Sequence, residues 1–191
     1  IRKELPEGKY KLRELEPAEG YISDNSEKTF YVQKGRTTEI EWENTPEVGQ
    51  IVITKRSSEF NELTGLPAGS PLSGAVFEIY NTTGNLVDKI SSGSNGVAAS
   101  KGLPVGVYTI KEVSAPRYYA LNDKTLLAEI RHNGDILRFE VLNSSISLNL
   151  TIQKKGPNAA SPGQTIQYDI YEVQNGSSGT LENFYIHDRI P

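Results

Sequence analysis

Leu103-Pro104-Val105-Gly106-Val107-Tyr108-Thr109-Ile110-Lys111-Glu112 ends in an alternating run in which Tyr108, Ile110 and Glu112 share one parity. A β-strand has a side-chain period of two, so these three residues point to one face. Ile51, Ile53 and Lys55 read the same way, and so do Leu137, Phe139, Val141 and Asn143. Each run is apolar until its last member, which is an amine, a carboxyl or an amide. If the three strands share one sandwich, Lys55, Glu112 and Asn143 converge in its apolar core. Burying such groups without partners costs roughly several kcal/mol. The arrangement therefore points to a use for them: an amide bond from Lys55 to Asn143, formed with help from Glu112.

The same stretch exposes an internal repeat. Leu5-Pro6-Glu7-Gly8-Lys9-Tyr10 matches Leu103-Pro104-Val105-Gly106-Val107-Tyr108, Glu14 matches Glu112, and Tyr21 matches Tyr119, all at a spacing of 98 residues. Trp42-Glu43-Asn44 matches Val141-Leu142-Asn143 at a spacing of 99. Repeats of this kind set the domain plan. Residues 1–48 form the second half of one unit and 49–145 a complete unit. Residues 146–191 form the first part of a third, differently patterned unit. Val48-Gly49 and Asn143 to Ser145 are the expected junctions, too short for flexible linkers, so the units should stand end to end.

Strands are expected at 50–56, 75–80, 86–90, 107–113, 126–131 and 136–143. Asn133-Gly134 and Asn95-Gly96 are turn signals, because both residue types tolerate positive φ. Ser57 to Ser73 reads as a long polar loop with room for a short helix at 57–64. In the third unit Leu148, Leu150, Ile152 and Lys154 share a face, and Thr165 to Val173 alternates again. The expected fold class is all-β, with tandem Ig-like or prealbumin-like β-sandwiches.

Composition narrows the function. The 191 residues carry a net charge of −4 and show no basic patch, which argues against nucleic acid as a partner. No stretch approaches the length of a membrane span, and the start does not resemble a signal peptide. Cysteine is absent, which excludes disulfides and thiolate metal sites. His132 and His187 stand alone, so neither a metal site nor a catalytic triad is expected, and no cofactor is called for. Leu66-Pro67-Ala68-Gly69 is similar to a sorting signal but has no apolar tail after it. Asn81, Asn143, Asn149 and Asn175 begin glycosylation sequons by pattern, and a glycan on Asn143 would exclude the crosslink.

Pro71-Leu72-Ser73-Gly74-Ala75-Val76-Phe77-Glu78-Ile79-Tyr80, then Gly102 to Glu112, then Ala115-Pro116 and Tyr119, resemble the collagen-adhesin B-type repeat of Gram-positive surface proteins. The stretch Tyr108-x-Ile110-x-Glu112-x-x-Ala115-Pro116-x-Tyr118-Tyr119 is similar to that family's E-box, Tyr-x-Leu-x-Glu-x-x-Ala-Pro-x-Gly-Tyr. Tyr118 departs from it, standing where the family has Gly, and in the first copy Pro17 comes one place early. The resemblance implies a prealbumin-like sandwich and a role in cell-wall-anchored stalks or pilus shafts. The tail is similar to an A-type, pilin-like isopeptide domain, in which Lys154 and Asp188, within Ile186-His187-Asp188-Arg189-Ile190-Pro191, would take the Lys and acid roles.

The chemistry asked of the three residues is specific. A protonated amine has no lone pair, and burial disfavours the charged form of Lys55. The same setting favours a neutral Glu112, able to donate to the Asn143 carbonyl and to ferry protons to the departing ammonia. Fixed contact between the reactants removes most of the entropic barrier. One turnover per molecule suffices, so the protein is not an enzyme toward others. Glu14 and Asn44 repeat the pair in the first unit, where the partner Lys is missing. Each residue also has a plainer reading: Lys55 as a strand-end lysine reaching solvent, Glu112 as an edge carboxylate, Asn143 as a turn residue.

Two functions compete. One is a structural segment of an extracellular, cell-wall-anchored stalk or pilus, its partners being neighbouring domains of the same chain or other pilin subunits. The other is an adhesin module that binds a host matrix protein. The Tyr-Pro-Lys motif usual in pilus shaft subunits is absent, which leans toward a stalk or a multidomain adhesin.

Overall fold

A computed structural model describes residues 4–147, 149–157 and 159–176. Among these it contains fourteen strands and no helix. They are β1 (Gly8–Arg13), β2 (Tyr21–Ile22), β3 (Glu27–Val32), β4 (Thr45–Pro46), β5 (Val48–Ser57), β6 (Val76–Asn81), β7 (Leu86–Ser91), β8 (Val97–Ala99), β9 (Leu103–Pro104), β10 (Gly106–Ser114), β11 (Thr125–Ile130), β12 (Ile136–Asn143), β13 (Leu150–Lys155) and β14 (Asp169–Asn175).

Strands β5 to β12 build a two-sheet sandwich. One sheet has the order β11-β10-β6-β7 and the other β12-β5-β8, with β9 also pairing with β5. The first sheet is antiparallel throughout. In the second, β12 runs parallel to β5, with Val141 opposite Lys55 and Asn143 opposite Ser57. The core lies between the sheets: Ile51, Ile53, Phe77, Ile79, Leu103, Tyr108, Ile110, Ala128, Ile130 and Val141. Alternation along β5, β10 and β12 drives this packing, since one parity of each strand is buried. The six strands expected in this unit are present, with ends shifted by up to two residues. The short β8 and β9 carry too few residues to show a period. Residues 57–64 form no helix; Asn61 instead bridges Leu66 within a turn. Gly49, expected at a junction, is already buried in β5, where a Cβ would lie 2.6 Å from an Ile130 methyl and 2.8 Å from the Asp135 carbonyl.

The repeat folds into matching local structure. Tyr108 donates its hydroxyl proton to the Pro104 carbonyl at 2.6 Å, and Tyr10 donates to Pro6 at 2.8 Å. The Leu-Pro-x-Gly-x-Tyr motif thus closes the turn that leads into each strand. The first copy pairs β1 with β3 and β2 with β4. Residues 36–44, the counterpart of β12, join no ladder. In the complete unit β12 pairs with β5, and the first copy has no such strand among the described residues. The third unit shows β13 antiparallel to β14, the latter starting later than the alternation at 165–173 suggests.

Candidate functional site: a buried lysine, glutamate and asparagine

Three strands deliver the three side chains. Lys55 lies near the end of β5, Glu112 near the end of β10, and Asn143 at the end of β12. All three are buried, at 0%, 7% and 2% relative exposure. The main chain around Lys55 is held by its N–H to the Gly96 carbonyl at 2.7 Å and by Leu72 N–H to its own carbonyl at 2.9 Å. Glu112 immediately precedes a bulge in the β10–β6 pairing, where the register shifts between Glu112 and Ser114. Bulges of this kind re-aim side chains next to functional groups.

The contacts close a triangle. Lys55 Nζ donates to Asn143 Oδ1 and to the Val141 carbonyl at 3.3 Å. It lies 3.5 Å from Glu112 Oε1. The same oxygen accepts from Asn143 Nδ2 at 3.0 Å, and Glu112 Oε2 accepts from the Asn122 N–H at 2.8 Å. Desolvation holds the Lys55 amine below its ordinary pKa, against the opposing pull of Glu112. Both Glu112 oxygens act as acceptors, whereas the sequence led us to expect an acid donating to the Asn143 carbonyl. One carboxylate oxygen instead touches the amine that would attack and the amide nitrogen that would leave. A cleft of about 240 Å³, lined by Phe77, Ile110, Glu112, Asn122, Leu126 and Val141 among others, runs up to Glu112.

The first copy holds the same pair. Asn44 Nδ2 donates to Glu14 Oε1 at 2.8 Å, and Asp24 N–H donates to Glu14 Oε2 at 3.1 Å. Asn44 Oδ1, the counterpart of the atom that accepts from Lys55, is buried with no hydrogen-bond partner among the described residues. In the third unit Lys154 is exposed, its Nζ lying 3.8 Å from the centre of the Tyr168 ring. Asp188 lies outside the described residues. No cluster of three or more potential metal ligands occurs among the described residues. No helix long and apolar enough to cross a membrane occurs among them either. Asn122 was not singled out by sequence reasoning. Its signal is positional only: it stands ten residues after Glu112, as Asp24 stands ten after Glu14.

Fold and site together define an all-β protein of prealbumin-like sandwiches. The chain belongs to the SpaA prealbumin-like fold domain family, whose model matches residues 2–46 and 50–145. It is 33% identical over 109 residues to the trypsin-resistant surface T6 protein of Streptococcus pyogenes serotype M6, covering 57% of this chain and 19% of that one. The chain thus spans about a fifth of that relative's length. The Bacillus anthracis TIE protein matches in structure with a TM-score of 0.58 at 28% identity, over 91% of this chain and 34% of that one. BcpA, the major pilin subunit of Bacillus cereus, matches with a TM-score of 0.44 at 22% identity, over 65% of this chain and 37% of that one.

Proposed function

We propose that this chain is a structural segment of a Gram-positive surface stalk or pilus, extracellular and anchored to the cell wall. Its complete unit is locked by a self-made amide bond between Lys55 and Asn143. The contact triangle of Lys55, Glu112 and Asn143 carries this reading. Glu112 takes a proton from the Lys55 ammonium, and the freed lone pair attacks Asn143 Cγ. The Cγ–Nδ2 bond breaks as a second Nζ proton passes through Glu112 to Nδ2. Ammonia leaves, and with the first proton it departs as ammonium, so Glu112 ends as it began. Proton transfer by one positioned carboxylate and fixed contact of the reactants are ordinary sources of acceleration. The reaction occurs once and acts on no other molecule.

The domain plan follows from the repeat: a half unit at 1–48, a complete unit at 49–145, and a differently patterned third unit from 146. We read the unpartnered Asn44 Oδ1 as the place of a lysine amine carried by a strand outside residues 1–48. For Lys154 and Asp188 we keep the lysine and acid roles in the third unit. The T6 protein's description as a surface protein supports the surface reading, and trypsin resistance is what a covalently closed sandwich would confer, since it resists the opening that proteases need. The second reading, an adhesin module toward a host matrix protein, would draw on exposed apolar side chains such as Leu15, Tyr31, Phe60 and Leu127.

The test is Glu112→Gln. The substituted amide cannot relay protons, so the variant should fold, keep the full sequence mass and digest far faster than the wild type. Loss of ammonia in this variant would remove Glu112 from the chemistry.

A further inference from the structure

We infer that Asn122 is a positioning residue for this bond: it fixes which oxygen of Glu112 faces the reactants and ties that carboxylate to the strand that carries Asn143. The inference rests on the bond-forming role proposed above. A Glu carboxylate turns easily about its last torsion, so something must hold Oε1 toward Lys55 and Asn143. The Asn122 N–H does so by engaging Oε2 at 2.8 Å. That N–H is aimed by a local turn in which Asn122 Oδ1 accepts from Lys124 N–H at 3.0 Å, an Asx arrangement. The other end of the same side chain, Nδ2, donates to the Leu142 carbonyl at 2.9 Å. Leu142 immediately precedes Asn143. One side chain therefore couples the catalyst's loop to the electrophile's strand, at the cleft that reaches Glu112.

The first copy supplies an independent instance. Asp24 N–H engages Glu14 Oε2 at 3.1 Å, and Asp24 Oδ1 accepts from Ser26 N–H at 2.9 Å. The turn and the carboxylate contact recur, but Asp24 has no amide nitrogen, and its second oxygen accepts from Ser26 Oγ at 2.9 Å. The turn that orients the catalyst is thus common to both copies; Asn122 reaches the asparagine's strand through the Leu142 carbonyl, whereas Asp24 faces the Trp42 side chain, two residues before Asn44.

The test follows freshly made protein. The 191-residue chain is produced by cell-free synthesis. Bond formation is timed by intact mass, and the folded fraction is read by circular dichroism in the same samples. Asn122→Ala, which loses turn and tether, should slow ammonia loss by roughly tenfold or more at an unchanged folded fraction, since small misplacements cost that much. Asn122→Asp, which keeps the turn and loses the tether, should recover part of the rate. In a bond-free Glu112→Ala background, Asn122→Ala should barely move the melting midpoint. A wild-type rate in Asn122→Ala, or a slowing no larger than its loss of folded protein, overturns the inference. If Asn122→Ala does not fold, Asn122→Asp decides alone: slower bonding supports the role and a wild-type rate overturns it. If the wild type itself never loses ammonia, the bond-forming reading fails, and this role fails with it.

Discussion

Gly96 is in the site because of what it lacks. It sits at φ +75°, and a Cβ there would lie 2.5 Å from the Lys55 carbonyl and 3.0 Å from Pro71. Gly96→Ala should therefore cost roughly 2–4 kcal/mol, from left-handed strain plus the clash. A urea melt of the bond-free Glu112→Gln form checks this without the crosslink masking the loss. Lys55 gives a second prediction. Its pKa is lowered by burial from 10.5, so the unfolded chain binds more protons than the folded one between the lowered value and 10.5. Stability of the bond-free form should then rise with pH across that window and fall as pH drops through it. A midpoint that declines toward alkaline pH within that window would contradict an amine whose pKa burial holds below its ordinary value. At this scale the sequence was readable for Lys55, Glu112 and Asn143, because each ends an alternating run. Asn122 was not, because its contacts come from a turn and have no period. The direction of the Glu112 hydrogen bonds was likewise hidden, since it depends on a backbone N–H ten residues away.

Among the elements, the long alternating strands were legible, and the pieces held by context were not. Residues 36–44 carry inward parity like β12, yet form no ladder without a neighbour equivalent to β5. The loops that leave each copy show how one position changes a junction. Gly20 and Tyr118 are counterparts at φ +81° and +66°. Each carbonyl accepts the same bond, from Glu47 N–H at 2.8 Å and from Ile146 N–H at 3.1 Å. Gly20 leaves only 3.0 Å between an added Cβ and Val105 of the next unit. Tyr118 instead carries a half-exposed ring beneath the Arg117 guanidinium, 4.6 Å from its centre. Tyr118→Gly should stabilise by about 0.5–1 kcal/mol as left-handed strain is relieved. Gly20→Tyr should destabilise by roughly 1–3 kcal/mol, through strain and the Val105 contact. Denaturant midpoints of the two variants should move in opposite directions. A shift of the same sign in both would mean that the junction does not depend on this position.

For the whole molecule, the parallel pairing of β5 and β12 would set the path of force under a pull along the chain. The chain enters the complete unit at the start of β5 and leaves it at the end of β12, so tension shears two neighbouring strands. An amide from Lys55 to Asn143 would carry that tension across a sequence separation of 88. By analogy with disulfides, closing a loop of this size would add about 4–5 kcal/mol of stability. Beyond Asn143 the chain is fastened again. Ser145 N–H and Oγ both donate to Glu59 Oε1, at 2.9 and 2.7 Å, and Ala120 N–H donates to the Ser144 carbonyl at 2.9 Å. The measurement that bears most directly on this account is the intact mass of the 191-residue chain, followed by peptide mapping. The account predicts a mass one ammonia below that of the sequence, with the β5 and β12 peptides joined through Lys55 and Asn143. A full sequence mass, with Lys55 open to amine labelling after unfolding, would contradict it.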